Sequence, residues 1–294
     1  MSITVQEIAS QPEMWRRAGE VARARADVMP REGQSVAVLG CGTSWFIAQS
    51  YCSARETAGQ GRSDAFTATE FPAARNYDVV IFLSRSGTTT EIVDLAKNLA
   101  GRVRTILLTA VGGGPAAEFV DAEVVLDFAD EESVVQTRFA TSALAFFRAS
   151  IGVDLDPVIA DARTMLDADI PAEWVSADQV TFLGAGWTNG LAYEAALKLR
   201  EASQSWTEAY PAMEYRHGPI SIAEEGRLTW MFGTAPAGLE AQVRDTGATF
   251  VTSTVDPMAH LVLAQRLAIA RAQDRGLNPD TPRHLTRSVI LDEA

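Results

Sequence analysis

Short apolar runs alternate with amphipathic stretches along this chain, and that rhythm predicts an α/β fold built on parallel sheets. VAVL (36–39), VVIFL (79–83) and TILLT (105–109) read as buried strands. Each ends in a Gly, Ser or Thr cluster, after which helical periodicity resumes. EVVLDF (123–128) reads as a further strand, and a helix is expected from Gln136 to Ile151, closing a first domain. A helical connector should run from Asp154 to Ser176, with Pro157 and Pro171 along it. A second series follows in VTFL (180–183), LTWMFG (228–233) and TFVTS (249–253), then a long helix from Pro257 to about Arg275. The tail GLNPDTPRHLTRSVILDEA has no helical period and is expected to lie over the surface.

The series repeats. Aligning Val36 with Val180, an offset of 144, gives a gapless match of 36 residues, to Phe71 and Tyr215. Val36, Leu39, Gly40, Gly42, Ala48, Ala58, Gln60, Ala65, Ala68 and Glu70 equal their counterparts. Several are Ala or Gly, but both copies end on Glu followed by an aromatic residue. The expected architecture is therefore two tandem doubly wound parallel-sheet subdomains, 1–153 and 177–294, joined by the 154–176 connector. In such sheets ligands bind beyond the carboxyl ends of the strands.

The copies differ where chemistry would sit. After VVIFL the first copy reads Ser84-Arg85-Ser86-Gly87-Thr88-Thr89-Thr90-Glu91 and enters a helix, whereas the second has apolar Leu228–Gly233. A hydroxyl- and glycine-rich turn at a helix start makes an anion cradle of backbone N–H groups, helix dipole and hydroxyl donors. Thr43 and Ser44, after Gly40-Cys41-Gly42, offer a second hydroxyl pair at the neighbouring helix start. Helix capping alone would explain one such turn. Two turns in the first copy, against an apolar loop in the second, point to phosphate. A dinucleotide fingerprint needs a third Gly or Ala where Trp45 stands, and no Gly-Lys-Ser/Thr tripeptide exists for a P-loop.

The second copy has its own feature. At 100° per residue, Lys198 lies about 40° from Glu194, and Glu201 about 20° on the other side, so three charges share one stripe. A solvated face laced with ion pairs is the ordinary use of such residues. This helix is otherwise mostly Leu and Ala, however, and the first copy has Ser50, Ala54 and Thr57 at the matching positions. His217 stands in a turn before Gly218-Pro219, a position that suits structure and catalysis equally. His260 reads as a helix-packing residue and His284 as a tail residue.

With 294 residues, 47% hydrophobic, the chain has the makings of an ordinary globular protein. Its net charge of −13 repels nucleic acid and anionic membrane, so neither is expected as a partner. No apolar run approaches the roughly 20 residues of a membrane span, and the N-terminus has no signal-peptide pattern. A cytoplasmic location is expected. Two cysteines and three scattered histidines make neither a disulfide framework nor a metal site, and no metal or cofactor is expected.

Nearly the whole chain resembles the tandem sugar isomerase (SIS) domain family, in particular the isomerase half of glucosamine-6-phosphate synthase. The resemblance rests on Gly-Cys-Gly-Thr-Ser (40–44), Thr-Glu-Phe (69–71), Ser-Arg-Ser-Gly-Thr-Thr (84–89), Glu-Ala-Ala-Leu-Lys-Leu-Arg-Glu (194–201), Glu-Ala-Tyr (208–210), His-Gly-Pro (217–219) and Pro-Arg-His-Leu-Thr-Arg-Ser-Val (282–289), with EIASQP near the start. It implies a sugar phosphate held by Ser44, Ser84, Arg85, Ser86 and Thr89, with Val135 and Gln136 in a sugar-contacting loop. It implies Glu201 as the base shuttling a proton between C1 and C2, His217 as the ring-opening residue, and Lys198 and Glu194 as their neighbours. It also implies a homodimer in which His217 serves the neighbouring subunit's site.

Two departures narrow the expectation. No glutaminase segment is recognised, so glutamine-fed amination is not expected of this chain. Arg287 stands where the synthase has an imine-forming lysine, and a guanidinium that stays protonated cannot form one. Isomerisation of a hexose 6-phosphate and release of ammonia from an amino-sugar phosphate both fit. So does a deglycase acting on a phosphorylated sugar–amine conjugate. A non-catalytic sugar-phosphate sensor is the alternative of another class, but the first 35 residues hold no basic helix-turn-helix. An intact Glu201, Lys198 and His217 set favours an enzyme.

Overall fold

The computed structural model describes residues 2–291, so residues 1 and 292–294 of the expected domain spans lie outside the described residues. In chain order, the first half runs α1 (Ile3–Ala24), β1 (Val36–Gly40), α2 (Thr43–Thr57), β2 (Ser63–Thr67), β3 (Val79–Leu83), α3 (Thr90–Leu99), β4 (Arg104–Thr109), β5 (Ala122–Val125) and α4 (Arg138–Ser150). It continues with α5 (Asp156–Asp167), α6 (Ala172–Ser176), β6 (Gln179–Gly184), α7 (Thr188–Ser203), β7 (Trp206–Pro211), β8 (Arg227–Met231), α8 (Leu239–Arg244), β9 (Thr249–Val251) and α9 (Pro257–Asp274).

Two parallel sheets result, with strand orders β2-β1-β3-β4-β5 and β7-β6-β8-β9. The α/β fold with two parallel sheets read from the apolar rhythm is therefore observed, and the first four strands of each sheet follow one order. The aligned glycines behave alike too. Gly42 and Gly186 both take left-handed φ, 55° and 57°. A Cβ on Gly40 would lie 2.6 Å from the Ser44 backbone, and one on Gly184 2.3 Å from the Thr188 backbone. Only glycine lets each first strand run this close to the helix that follows it.

The strands hold the cores. Leu39, Val80, Phe82, Ile92 and Leu107 are buried around the first sheet, and Leu183, Tyr215, Met231, Val243 and Phe250 around the second. EVVLDF departs from expectation. The strand stops at Val125, and Asp127–Ala129 form a 3₁₀ turn in which the Asp127 carboxylate accepts the Phe128 N–H at 2.7 Å. An Asp side chain that captures nearby backbone favours a turn over a strand.

The chain divides into two compact units assembled from separate stretches. One takes Glu13–Glu132, Arg138–Leu155 and the tail from Thr286 onward. The other takes the chain up to Pro12, then Ser133–Thr137 and Asp156–Leu285. The units therefore differ from the continuous spans 1–153 and 177–294: the connector helices α5 and α6 belong with the second sheet, and the end of the tail with the first. No helix among the described residues is long and apolar enough to cross a membrane.

Candidate functional site

In the first sheet β1 has β2 on one side and β3 on the other, so the strand order reverses between β1 and β3. The loops leaving their carboxyl ends carry Thr43 and Ser44, and Ser84 to Thr89. A crevice at such a reversal is where open α/β sheets take ligands. The turn after β3 is tightly organised. Gly87 takes φ 65°, and its N–H donates to the Ser84 hydroxyl at 3.2 Å. The Arg85 carbonyl accepts the Thr109 hydroxyl at 3.0 Å, pinning the turn to the end of β4. Thr43, Ser44, Ser84 and Arg85 are all buried.

These hydroxyls are not helix caps. Thr89 stands at the start of α3 and Gly42 at the start of α2, and neither helix receives a side-chain cap bond. Instead the tail of the same unit supplies the partners. Ser86 donates to the Ser288 hydroxyl at 3.2 Å, Thr88 reaches it at 2.9 Å, and Thr89 lies 3.5 Å away. The Thr90 N–H, at the head of α3, donates to the Val289 carbonyl at 3.2 Å. Arg85 donates to the Arg287 carbonyl, and the Arg287 guanidinium pairs with Asp130. The helix start and hydroxyl cluster thus form a site for acceptor oxygens, and Ser288 and Val289 occupy it.

The second unit carries the charged stripe. Thr188 begins α7 with its hydroxyl accepting the Ala185 N–H at 2.8 Å and donating to the Phe232 carbonyl at 3.0 Å. Ala and Leu positions bury most of the helix. Lys198 Nζ lies 2.5 Å from Glu201 Oε2 and 3.5 Å from Glu194 Oε1. Glu194 and Lys198 are buried, whereas the Glu201 side chain keeps 18% exposure. The solvated-face explanation therefore fails for two of the three. Lys198 is an internal cation between carboxylates, and Glu201 is the one that opens outward.

Glu201 opens onto a recess of about 420 Å³ lined by Leu197, Arg200, Gln204, Arg283 and His284 among others. Arg200 donates to the Thr207 hydroxyl at 3.1 Å, and burial holds its guanidinium below the usual arginine range. His217 is exposed at the end of a 3₁₀ turn, Glu214–His217, before Gly218 at φ 135°, and is not among the recess residues. Val135 is buried, and its loop is held by Glu7, whose carboxylate accepts the Ser133 N–H at 3.3 Å. The Gln136 Oε1 atom of this loop is buried without a hydrogen-bond partner.

Within single units, then, the structure gathers Ser84 to Thr89 into one turn and Glu194, Lys198 and Glu201 into one stripe. Thr88, Ser288 and His284 are additional members. Ser288 lies inside the matched tail motif, which was the available signal. His284 lies in the same motif, although it reads there as no more than a tail residue.

Residues 31–151 match the SIS domain family. Glutamine–fructose-6-phosphate aminotransferase [isomerizing] of Pyrobaculum aerophilum is 25% identical over 264 residues, covering 73% of this chain and 44% of that protein. The Bacillus subtilis protein of the same description is 24% identical over 330 residues, covering 93% and 53%. The chain thus spans about half the length of the curated relatives it matches. The structure of glucosamine-6-phosphate deaminase from Thermotoga maritima superposes with a TM-score of 0.81 at 25% identity, over 99% of this chain and 100% of that one. The C-terminal domain of glucosamine-fructose-6-phosphate aminotransferase from Francisella tularensis gives 0.82 at 18% identity, over 96% and 98%, a likeness of fold. The family match stops at residue 151 and leaves the second sheet outside it. Residues 31–151 are therefore similar to the SIS domain family, and the two-sheet α/β fold that contains them is similar to those of SIS-type structures.

Proposed function

We propose that this chain is a phosphosugar isomerase or amino-sugar-phosphate deaminase, acting on a hexose 6-phosphate or its 2-amino derivative. The single observation that carries the reading is Glu201, a carboxylate opening onto a recess with the Lys198 ammonium 2.5 Å behind it. Aldose–ketose chemistry needs one carboxylate to move a proton between adjacent carbons. It also needs a cation near the oxygen that gains charge.

In this reading the turn Ser84 to Thr89, with Thr43 and Ser44, binds the phosphate, and the loop of Val135 and Gln136 contacts the sugar. His217 opens the ring. Glu201 takes the C2 proton, giving an enediol or enolamine, and returns it to C1. From the amino sugar this yields a ketimine, which water converts to ketose and ammonia. Side chains suffice for every step. The full-length likeness to a glucosamine-6-phosphate deaminase supports the ammonia-releasing branch. The repeat and the shared strand order support treating the second sheet as a second SIS domain, and the resemblance of His217 supports a homodimer with shared sites.

The test is incubation with a panel of hexose and hexosamine 6-phosphates, following ketose and ammonia together. Ammonia with ketose from an amino sugar identifies a deaminase, and ketose from an aldose alone an isomerase. Glu201→Gln should bind substrate but stop solvent-deuterium exchange at C2. Exchange at the wild-type rate in that variant would remove Glu201 as the base.

A further inference from the structure

The recess at Glu201 has an unusual backbone. Among the described residues only two non-glycine positions have positive φ, Gln204 at 52° and His284 at 64°, and both line it. A left-handed non-glycine residue costs free energy, and such residues persist where surrounding structure holds them, often at functional sites. Gln204 has a local explanation as the left-handed C-cap of α7, its N–H returning to the Arg200 carbonyl at 3.1 Å. No helix end explains His284.

The face of α7 that meets the recess carries Leu197, Arg200, Glu201 and Gln204, at the spacing of a single helix face. Arg283 and His284 come from the tail of the same unit. The tail is anchored upstream at Asp280, whose carboxylate accepts the Thr4 N–H at 2.8 Å. The recess thus joins a carboxylate and an imidazole, two groups able to give and take protons. His217 does not line it.

We propose that His284 is a second catalytic acid/base in this recess, handling the oxygen-bound protons while Glu201 handles the carbon-bound one; the inference rests on the proposed function. Glu201 removes the C2 proton of the open-chain aldose, and the C–H electron pair becomes the C1=C2 bond. The carbonyl π pair moves to O1, which takes a proton from the His284 imidazolium. The neutral imidazole then takes the O2 proton as the C2=O bond forms, and the C1=C2 pair takes the proton back from Glu201 at C1. Both side chains end as they began, and aldose has become ketose. On a 2-amino sugar the neutral imidazole takes a proton from the C2 nitrogen instead, leaving a ketimine to which water adds as ammonia leaves.

The test compares wild type, His284→Asn, His284→Gly and Glu201→Gln on the phosphosugar panel. Asn and Gly are the residues that best tolerate positive φ, so neither substitution strains the tail. Loss of an acid/base group should lower kcat about a hundredfold or more in both His284 variants, with KM within a few-fold. Added imidazole should restore part of the activity of His284→Gly. Wild-type kcat in both His284 variants, alongside a dead Glu201→Gln, overturns the role of His284 and leaves the proposed function standing. A fall in kcat without any rescue by imidazole also overturns it, assigning His284 to structure. A wild type inert toward every phosphosugar overturns the proposed function and the inference together.

Discussion

Thr88 donates its hydroxyl to Ser288 across 2.9 Å, although 200 positions separate them in the chain. Ser288 also accepts from Ser86, so one tail oxygen collects the donors of the cradle. A phosphate bound at this turn, as proposed, would compete with that oxygen. Ser288→Ala should therefore bind inorganic phosphate or a phosphosugar more tightly. One neutral hydrogen bond of about 1 kcal/mol corresponds to a roughly fivefold gain. Ser86→Ala with Thr89→Val should act in the opposite direction. Each lost bond to an anion is worth roughly 1.5–3 kcal/mol, and the unphosphorylated sugar should bind as before. Calorimetric titration of the three proteins checks both signs.

Lys198 holds together two carboxylates, one of them fully buried. Lys198→Met leaves the Glu194 and Glu201 charges facing each other without the cation. Breaking a buried pair from one side costs about 3–5 kcal/mol, and a fall of that size in unfolding free energy by urea denaturation is expected. Lys198→Met combined with Glu194→Leu should recover much of the loss, because no buried charge is then stranded.

His260 stacks on Trp230 at 4.6 Å between ring centroids, and burial lowers its pKa from 6.5 to about 4. The unfolded chain therefore takes up a proton between those values that the folded chain refuses. Stability from this group is complete above about pH 6.5 and is lost as pH falls toward 4, by up to about 3 kcal/mol. His260→Phe keeps a ring in the stack and removes the titration. The gap between wild type and His260→Phe should shift in the variant's favour across that window, and stay constant above pH 7.

If the proposed homodimer shares its sites, inactive Glu201→Ala and His217→Ala proteins should complement each other when mixed after reversible dissociation. Each mixed dimer would hold one doubly damaged site and one intact one. Mixed dimers that form, by tag exchange, yet show only the parents' residual activity would place His217 in its own chain's site.

The central strands were legible because they are buried on both faces: β1 and β3 are continuous apolar runs, and β6 is buried throughout around the apolar Val180, Phe182 and Leu183. Edge strands β2 (SDAFT) and β7 (WTEAYP) are half-exposed and polar, and no run of that kind stands out. Pro12 inside α1 obscured that helix. The hydroxyl turn and the charged stripe were legible because each departs from its counterpart in the repeat. The tail was not. It has no regular structure from Gly276 to Leu291, so its place is fixed by individual bonds at Asp280, Arg287, Ser288 and Val289 that leave no periodic trace.

The first-sheet unit opens at Glu13 and is completed only by the tail from Thr286 onward. During synthesis its five strands are all available once β5 has emerged, long before the ribosome reaches Ser288. A nascent chain can therefore close its first sheet early, but the hydroxyl turn after β3 waits for its internal partners until Ser288 and Val289 have emerged. Until then the head of α3 lacks the Ser288 and Val289 oxygens that take its donors in the folded chain.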